Sequence, residues 1–376
     1  MASTALLIAE VNVNVICRQG TPGVGLIALA EQALGKGGAR FTGLVYVFIH
    51  YSLLVAYMAQ GGGLLNEAAQ TLLGTGADAS VSAVPEWAGP TAFCLALGSL
   101  LLFFSEEMVN NINSVLVAVV LLSFAGLVAV GSGGVQMENL ANQDWSKVPA
   151  AVPVMYIAMV FHNVVPVVTT QLEGDVVKIR KALVGGSLAP LLMFLVWNAV
   201  ILGTVPKDAG LVAEAAGGVF DPLQALRQGA HVDEGVGTLL SPLIAVFSEV
   251  AIITSFIGFV VGLLDFFTDV LKIPPGDKSK EVPLYGAILL PPLAIAVTDP
   301  DIFFAALDTA GTFGISLLCG VLPAAMAWSQ RYRDAEQLSL ATLPLVPGGK
   351  ATLAGIAGFA GVVIFQKLLE MSGLTI

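Results

Sequence analysis

Ten stretches of this chain are apolar for long enough to cross a lipid bilayer, and that property leaves few folds open to it. They run from Ala2 to Cys17, Phe41 to Gln60, Ala88 to Phe104, Ile112 to Val130, Ala150 to Thr170, Leu183 to Thr204, Leu239 to Leu271, Leu284 to Val297, Ile302 to Trp328 and Ala351 to Leu368. A hydrocarbon core about 30 Å thick takes about 20 helical residues to cross, and backbone amides there must be bonded internally. Buried helices of a large soluble core would carry polar faces at helical period, and most of these runs have none. Only 11% of the 376 residues are charged, against 56% hydrophobic, which is too little charge to solvate a soluble domain of this size. The sequence therefore predicts an all-α polytopic membrane protein in contact with the lipid bilayer.

The charge pattern removes several function classes. A formal charge of −11, with 27 acidic and 16 basic residues, offers no basic stripe for nucleic acid. Cys17, Cys94 and Cys319 stand singly, without the spacing of a zinc site or a disulfide framework. No hydrolase, metalloprotease, phosphate-loop or dinucleotide motif is present, so the chain is not read as an enzyme, and no metal or cofactor is expected. Assigning alternate loops to one side gathers Arg18, Lys36, Arg40, Lys178, Arg180, Lys181, Lys272, Lys278, Lys280, Arg331, Arg333 and Lys350 there. The opposite side receives Lys147, Lys207, Arg227 and Lys367, with acidic residues such as Asp78, Asp208, Glu214, Asp233 and Glu234. That bias makes the first side cytoplasmic. It also puts both chain ends on the other side, which leaves two readings, an unusual first helix or an absent preceding span.

Three stretches carry the chemistry. Val154 to Gly174, "VMYIAMVFHNVVPVVTTQLEG", places His162, Asn163 and Pro166 in mid-span, where a proline removes a backbone donor and clashes with the preceding turn. A polar pair beside such a proline reads as a discontinuous helix, whose freed amides and carbonyls form substrate sites in secondary transporters. A kinked helix with a histidine bonded to its neighbour is the alternative. In Phe247 to Asp265, the residues Ser248, Ala251, Ser255, Gly258 and Gly262 form one narrow small face, suited to close helix approach. Thr254 and Ser255 could instead offer hydroxyls to cargo. Glu249 lies within the same span, where a charge is costly unless paired, protonated or facing water. Arg40 to Leu65 contains His50, Tyr51 and Tyr57, with Gly61, Gly62 and Gly63 loosening its end. The tandem Pro291 and Pro292 read as a kink, and Pro300 as a tight turn.

The run from Phe161 to Pro206, "FHNVVPVVTTQLEGDVVKIRKALVGGSLAPLLMFLVWNAVILGTVP", resembles the hydroxy and aromatic amino acid permease family, in its tyrosine and tryptophan permease branch. "LLIAEVNV" (Leu6 to Val13), "LLVAYMAQGGGLL" (Leu53 to Leu65), "TSFIGFVVGLLDFFTD" (Thr254 to Asp269) and "LLPPLAIAVTDPDIFFAALDTAGTFG" (Leu289 to Gly314) resemble its successive blocks. The resemblance implies a LeuT-type fold of two inverted five-helix repeats, with about ten of the family's eleven spans present and the first lacking. Residues 1–133 would be the remainder of the first repeat, 149–328 the second and 351–370 a further helix. It also implies proton-coupled symport of an aromatic amino acid, in a bacterial inner membrane or in a plastid or plasma membrane. Phe161, His162 and Asn163, with Pro166 shaping the break, then fall at the substrate, together with Tyr51, Thr254 and Ser255. His162 is the leading proton carrier and Glu249 the runner-up. A scaffold or assembly subunit, or an inactive truncated permease, is the competing expectation. The particular amino acid and the oligomeric state are left open.

Overall fold

The computed structural model describes residues 1–19, 25–73, 84–141, 145, 148–204, 234–273, 278–299, 301–333 and 344–373. His231, the turn at Pro300 and several loop charges named above (Asp78, Lys147, Lys207, Asp208, Glu214, Arg227, Asp233) lie outside them. The described residues are helical with short connections. The helices are α1 (Ala2–Gln19), α2 (Leu26–Leu72), α3 (Ala88–Phe103), α4 (Glu106–Gly131), α5 (Val148–Ala158) and α6 (Val165–Gln171). They continue as α7 (Val176–Thr204), α8 (Glu234–Leu271), α9 (Lys278–Thr298), α10 (Phe303–Arg333) and α11 (Gly349–Met371). Every apolar run of the sequence is found as a helical rod, the fifth being split between α5 and α6.

Eight of these rods, α5 and α6 counting as one, are long and apolar enough to span a bilayer. Their surfaces say the same. On α4 only Val109, Ser123, Leu127 and Gly131 are buried, while Val115, Leu121 and Leu122 are exposed, as are Leu188, Leu192 and Leu195 on α7. Apolar surface on this scale is tolerated only against another apolar phase. The protein is an all-α, multi-pass integral membrane protein.

The chain divides into two compact units. The first comprises Met1–Ser52, Ser146–Leu192 and Ala305–Ile376. At its centre is α1, buried on nearly all sides from Thr4 to Val15, against α6 and the Leu322–Trp328 stretch of α10. Within α10, Ala310–Val321 and Ser329–Arg333 are π-helical. Such wide turns are rare and concentrate at functional sites. Here glycines let neighbours in: a side chain at Gly311 would strike the Pro153 carbonyl, at Gly314 Ile49, and at Gly320 Ala360.

The second unit comprises Leu53–Trp145 and Met193–Phe304. In it α8 packs along α4, and α9 along α3 and α8. Leu127, Ile201 and Ile244 form a buried cluster with Trp197 and Phe247 against it. Phe93 meets Phe256 edge-on at 5.2 Å between ring centroids.

The structure corrects three local expectations. The interval between the first two spans is largely helix: α2 begins at Leu26 and breaks once, at Gly35 (φ 76°), a left-handed conformation open to glycine. Gly61 and Gly62 do not loosen α2; the helix continues through them, and they admit the Phe93 ring and Pro90. The small face of α8 is not the seam of its unit. Gly258 faces open space, while Phe256, Ile257, Val260 and Leu263 are buried, because bulky apolar side chains remove more area than small ones.

Candidate functional site

The fifth apolar run is interrupted in the middle. Helix α5 ends at Ala158, Met159–Phe161 are non-helical, and a single 3₁₀ turn, His162–Val164, leads into α6. Phe161 sits at φ −145°, ψ 16°, outside the helical region. The break precedes Pro166, which occupies the first turn of α6, where a missing N–H costs no helical bond. This proline starts the second half-helix; the kink expected from it is displaced to the residues before His162. Val164 N–H donates to the Phe161 carbonyl at 3.1 Å and Val165 N–H to that of His162. Among the described residues nothing accepts from the amides of Phe161, His162 and Asn163.

The other end of α6 is closed tightly. Gly174 N–H reaches back to the Thr169 carbonyl (3.1 Å) and Glu173 N–H to that of Thr170 (3.0 Å), with Glu173 and Gly174 both at positive φ. This double bond is a common helix stop. Asp175 then caps α7, its carboxylate accepting from Val177 N–H (3.0 Å) and Lys178 N–H (3.1 Å). The Lys178 amide, more than its ammonium, holds that exposed carboxyl below the usual aspartate range.

His162 is fully buried. Its Nε2 lies 2.7 Å from Thr4 Oγ1 on α1, and its Nδ1 has no partner among the described residues. Two turns further along, Asn12 Nδ2 donates to the Pro166 carbonyl at 3.1 Å while Asn12 Oδ1 is unsatisfied. Thus α1 holds the chain on the α6 side of the break at two points. Thr4 also lines a cavity of about 480 Å³ with Ser3, Tyr156, Cys319, Thr352 and Phe359, a volume within the usual range for a small-molecule site. Nearby in the same unit, on the π-helical stretch, Thr312 Oγ1 is buried without a partner, and Ser316 Oγ donates to the Gly311 carbonyl at 3.2 Å.

The remaining named residues are dispersed. Phe161 is half-buried, its ring 5.5 Å from the His162 ring, and Asn163 is exposed. Tyr51 is half-buried on α2, one residue after the buried His50, whose Nδ1–H donates to the Tyr46 carbonyl at 2.8 Å. Thr254, Ser255 and Glu249 belong to the second unit. Thr254 and Ser255 each donate to the Ala251 carbonyl of their own helix, at 3.0 and 2.8 Å. The Tyr57 ring lies tilted against Phe259, 5.7 Å between centroids. Glu249 Oε2 and the adjacent Ser248 Oγ are buried and unpartnered.

The first apolar run carries the polar side chains of Glu10, Asn12 and Asn14. Asn12 bonds α6, while Glu10 and Asn14 form a buried lock with the end of α10 and the segment beyond it. Arg331 grips Glu10 through two bonds of 2.6 Å each, and Leu345 N–H donates to the same carboxylate at 2.8 Å. Asn14 Nδ2 donates to Gln330 Oε1 at 3.0 Å, and Arg180 reaches the Leu345 carbonyl at 2.9 Å. The signal available was the cost of polar groups in an apolar helix, which demands partners.

A model described as the tryptophan/tyrosine permease family matches residues 1–366. The chain is 30% identical over 346 residues to the tyrosine-specific transport system 2 of Haemophilus influenzae, covering 90% of this chain and 79% of that protein. It is 26% identical over 343 residues to the tryptophan-specific transport protein of the same organism (89% and 78%). With the low affinity tryptophan permease of Escherichia coli it shares 24% over 355 residues (90% and 79%).

Proposed function

Since the chain belongs to the tryptophan/tyrosine permease family, we propose that it is a secondary active transporter carrying an aromatic amino acid, tyrosine or tryptophan, across a bacterial inner membrane together with protons. The observation that carries this reading is the interrupted α5–α6 rod with a fully buried imidazole at the break. An unwound segment inside a membrane is tolerated only where protein or a watered cavity surrounds it. Here the unpaired amides of Phe161, His162 and Asn163 can donate to the carboxylate of the cargo. Phe161 offers a face to its ring, since aromatic pairs gain about 0.5–1.5 kcal/mol beyond burial. His162 takes and releases the coupled proton, because imidazole titrates closest to physiological pH.

Glu249, in an apolar helix without a cation, is the second candidate carrier. For Tyr51, Thr254 and Ser255 the assignment rests on the family resemblance, as does the division into inverted repeats over 1–133 and 149–328 with a further helix at 351–370. The test is uptake of labelled tyrosine and tryptophan into proteoliposomes under an imposed inward proton gradient, for the wild type and His162→Ala. Gradient-driven uptake is expected in the wild type and not in the variant. Full coupled uptake by His162→Ala removes the histidine from the mechanism; wild-type protein that accumulates neither amino acid overturns the transport reading.

A further inference from the structure

We infer that Thr4 is a positioning residue that fixes the tautomer of His162, so that Nε2 carries the hydrogen and Nδ1 is the atom that takes up the proton. The argument is an accounting of hydrogens. A threonine hydroxyl has one hydrogen and two lone pairs. Thr4 Oγ1 lies 2.8 Å from the Met1 carbonyl oxygen and 2.7 Å from His162 Nε2. A carbonyl can only accept, so the single hydrogen of Thr4 goes to Met1. Its lone pair must then accept from Nε2–H.

The converse tautomer is worse on both counts. The hydroxyl would have to turn to Nε2, giving up the carbonyl, and Nδ1–H would be a buried donor with nothing to receive it. Buried N–H groups without acceptors are rarer and costlier than under-used acceptors. In the favoured arrangement Nδ1 presents a bare lone pair, in agreement with its lack of any partner among the described residues. A proton added there converts the neutral ring to imidazolium, and its loss from the same atom restores the starting tautomer. The Nε2–Thr4 bond persists through the cycle. The charged group that acts on His162 is the Met1 α-amino group, which shares the cavity with Thr4 and the Cys319 thiol; Glu10 of α1 and Arg331 of α10 are committed to one another.

The use of Nδ1 in coupling rests on the transport reading above; the tautomer does not, and two readouts separate them. The first is ¹⁵N NMR of ring-labelled histidine in the purified full chain, with the His162 signals identified by their loss in His162→Asn. A protonated Nε2 and bare Nδ1 are expected in the wild type and in Thr4→Ser, and a mixture of tautomers in Thr4→Val, which keeps the shape without the hydroxyl. A protonated Nδ1 in the wild type, or an unchanged tautomer in Thr4→Val, overturns the assignment. The second readout is proton-driven uptake. Thr4→Val is expected to lower kcat by roughly tenfold or more with KM little changed, since a correctly held acid–base group contributes about 10²–10⁴-fold, and Thr4→Ser is expected to restore it. Normal kcat in Thr4→Val with its tautomer scrambled overturns the role in coupling. Absence of uptake in the wild type overturns the transport reading and leaves the spectroscopic result to decide the tautomer.

Discussion

Replacing Arg331 by methionine should destabilise the first unit more than almost any other single change to it. The guanidinium makes two 2.6 Å bonds to Glu10, and the two side chains are only 9% and 2% exposed. Methionine fills similar volume, so the loss is electrostatic: a buried carboxylate is left with Leu345 N–H alone. Breaking such a pair costs about 3–5 kcal/mol. At about 2–4 °C per kcal/mol for a large domain, Tm should fall by about 6–20 °C. The double variant Glu10→Leu with Arg331→Met removes both charges. It orphans the Leu345 amide and costs the Val346 carbonyl its 3.2 Å bond to Arg331, a loss of about 1–3 kcal/mol per buried group. The Val346 bond is lost in both variants, so the comparison is between an unpaired buried carboxylate at about 3–5 kcal/mol in the single and an orphaned Leu345 amide at about 1–3 kcal/mol in the double, and the double variant should melt above the Arg331→Met single. Thermal unfolding of the detergent-solubilised protein, followed by tryptophan fluorescence and monodispersity, completes the cycle. A single variant within about 2 °C of wild type, or a double variant whose losses simply add, would show that the pair is not coupled as argued.

Three further outcomes are expected. Gly311→Ala puts a methyl group against the Pro153 carbonyl; backbone cannot step aside as a side chain can, so about 1–3 kcal/mol of stability should be lost, seen as a lowered Tm. Lys350 stands over the Trp328 and Tyr332 rings at 5.8 and 5.0 Å, and Lys350→Met should cost only about 0.5–1 kcal/mol at this exposed site, measured the same way. Asp175 has its carboxyl pKa depressed below 3.8 by the Lys178 amide. Its contribution to the start of α7 is therefore complete above the unfolded-state value and is lost as pH falls through the lower folded one. Protection of the Val177 and Lys178 amides, measured as exchange relative to the intrinsic rate at each pH, should fall over that acidic window in the wild type, and Asp175→Asn should remove that change in protection.

The apolar rods were readable because hydropathy is local, each having to be apolar over its own length to enter lipid; the number was not, since ten spans were expected and eight of the described rods are long and apolar enough. The interruption at His162 was readable too, since a polar pair and a proline in mid-span conflict with a continuous apolar helix. Its position was not, because a proline is compatible with either breaking a helix or beginning one, and packing against α1 decided for the second. The lock at Glu10 joins residues 321 apart in the chain. An isolated carboxylate in an apolar run announces that it needs a partner without naming one; only the fold brings Arg331 to it. The same holds for Thr4, an unremarkable residue until its hydroxyl is found on Nε2, and for the π-helical stretch of α10, whose glycines acquire meaning from the backbones pressed against them. Hydrophobicity is a property of the residue and fixes where each segment resides. Hydrogen-bond pairing and close approach are properties of two segments together, and these the tertiary structure alone decided.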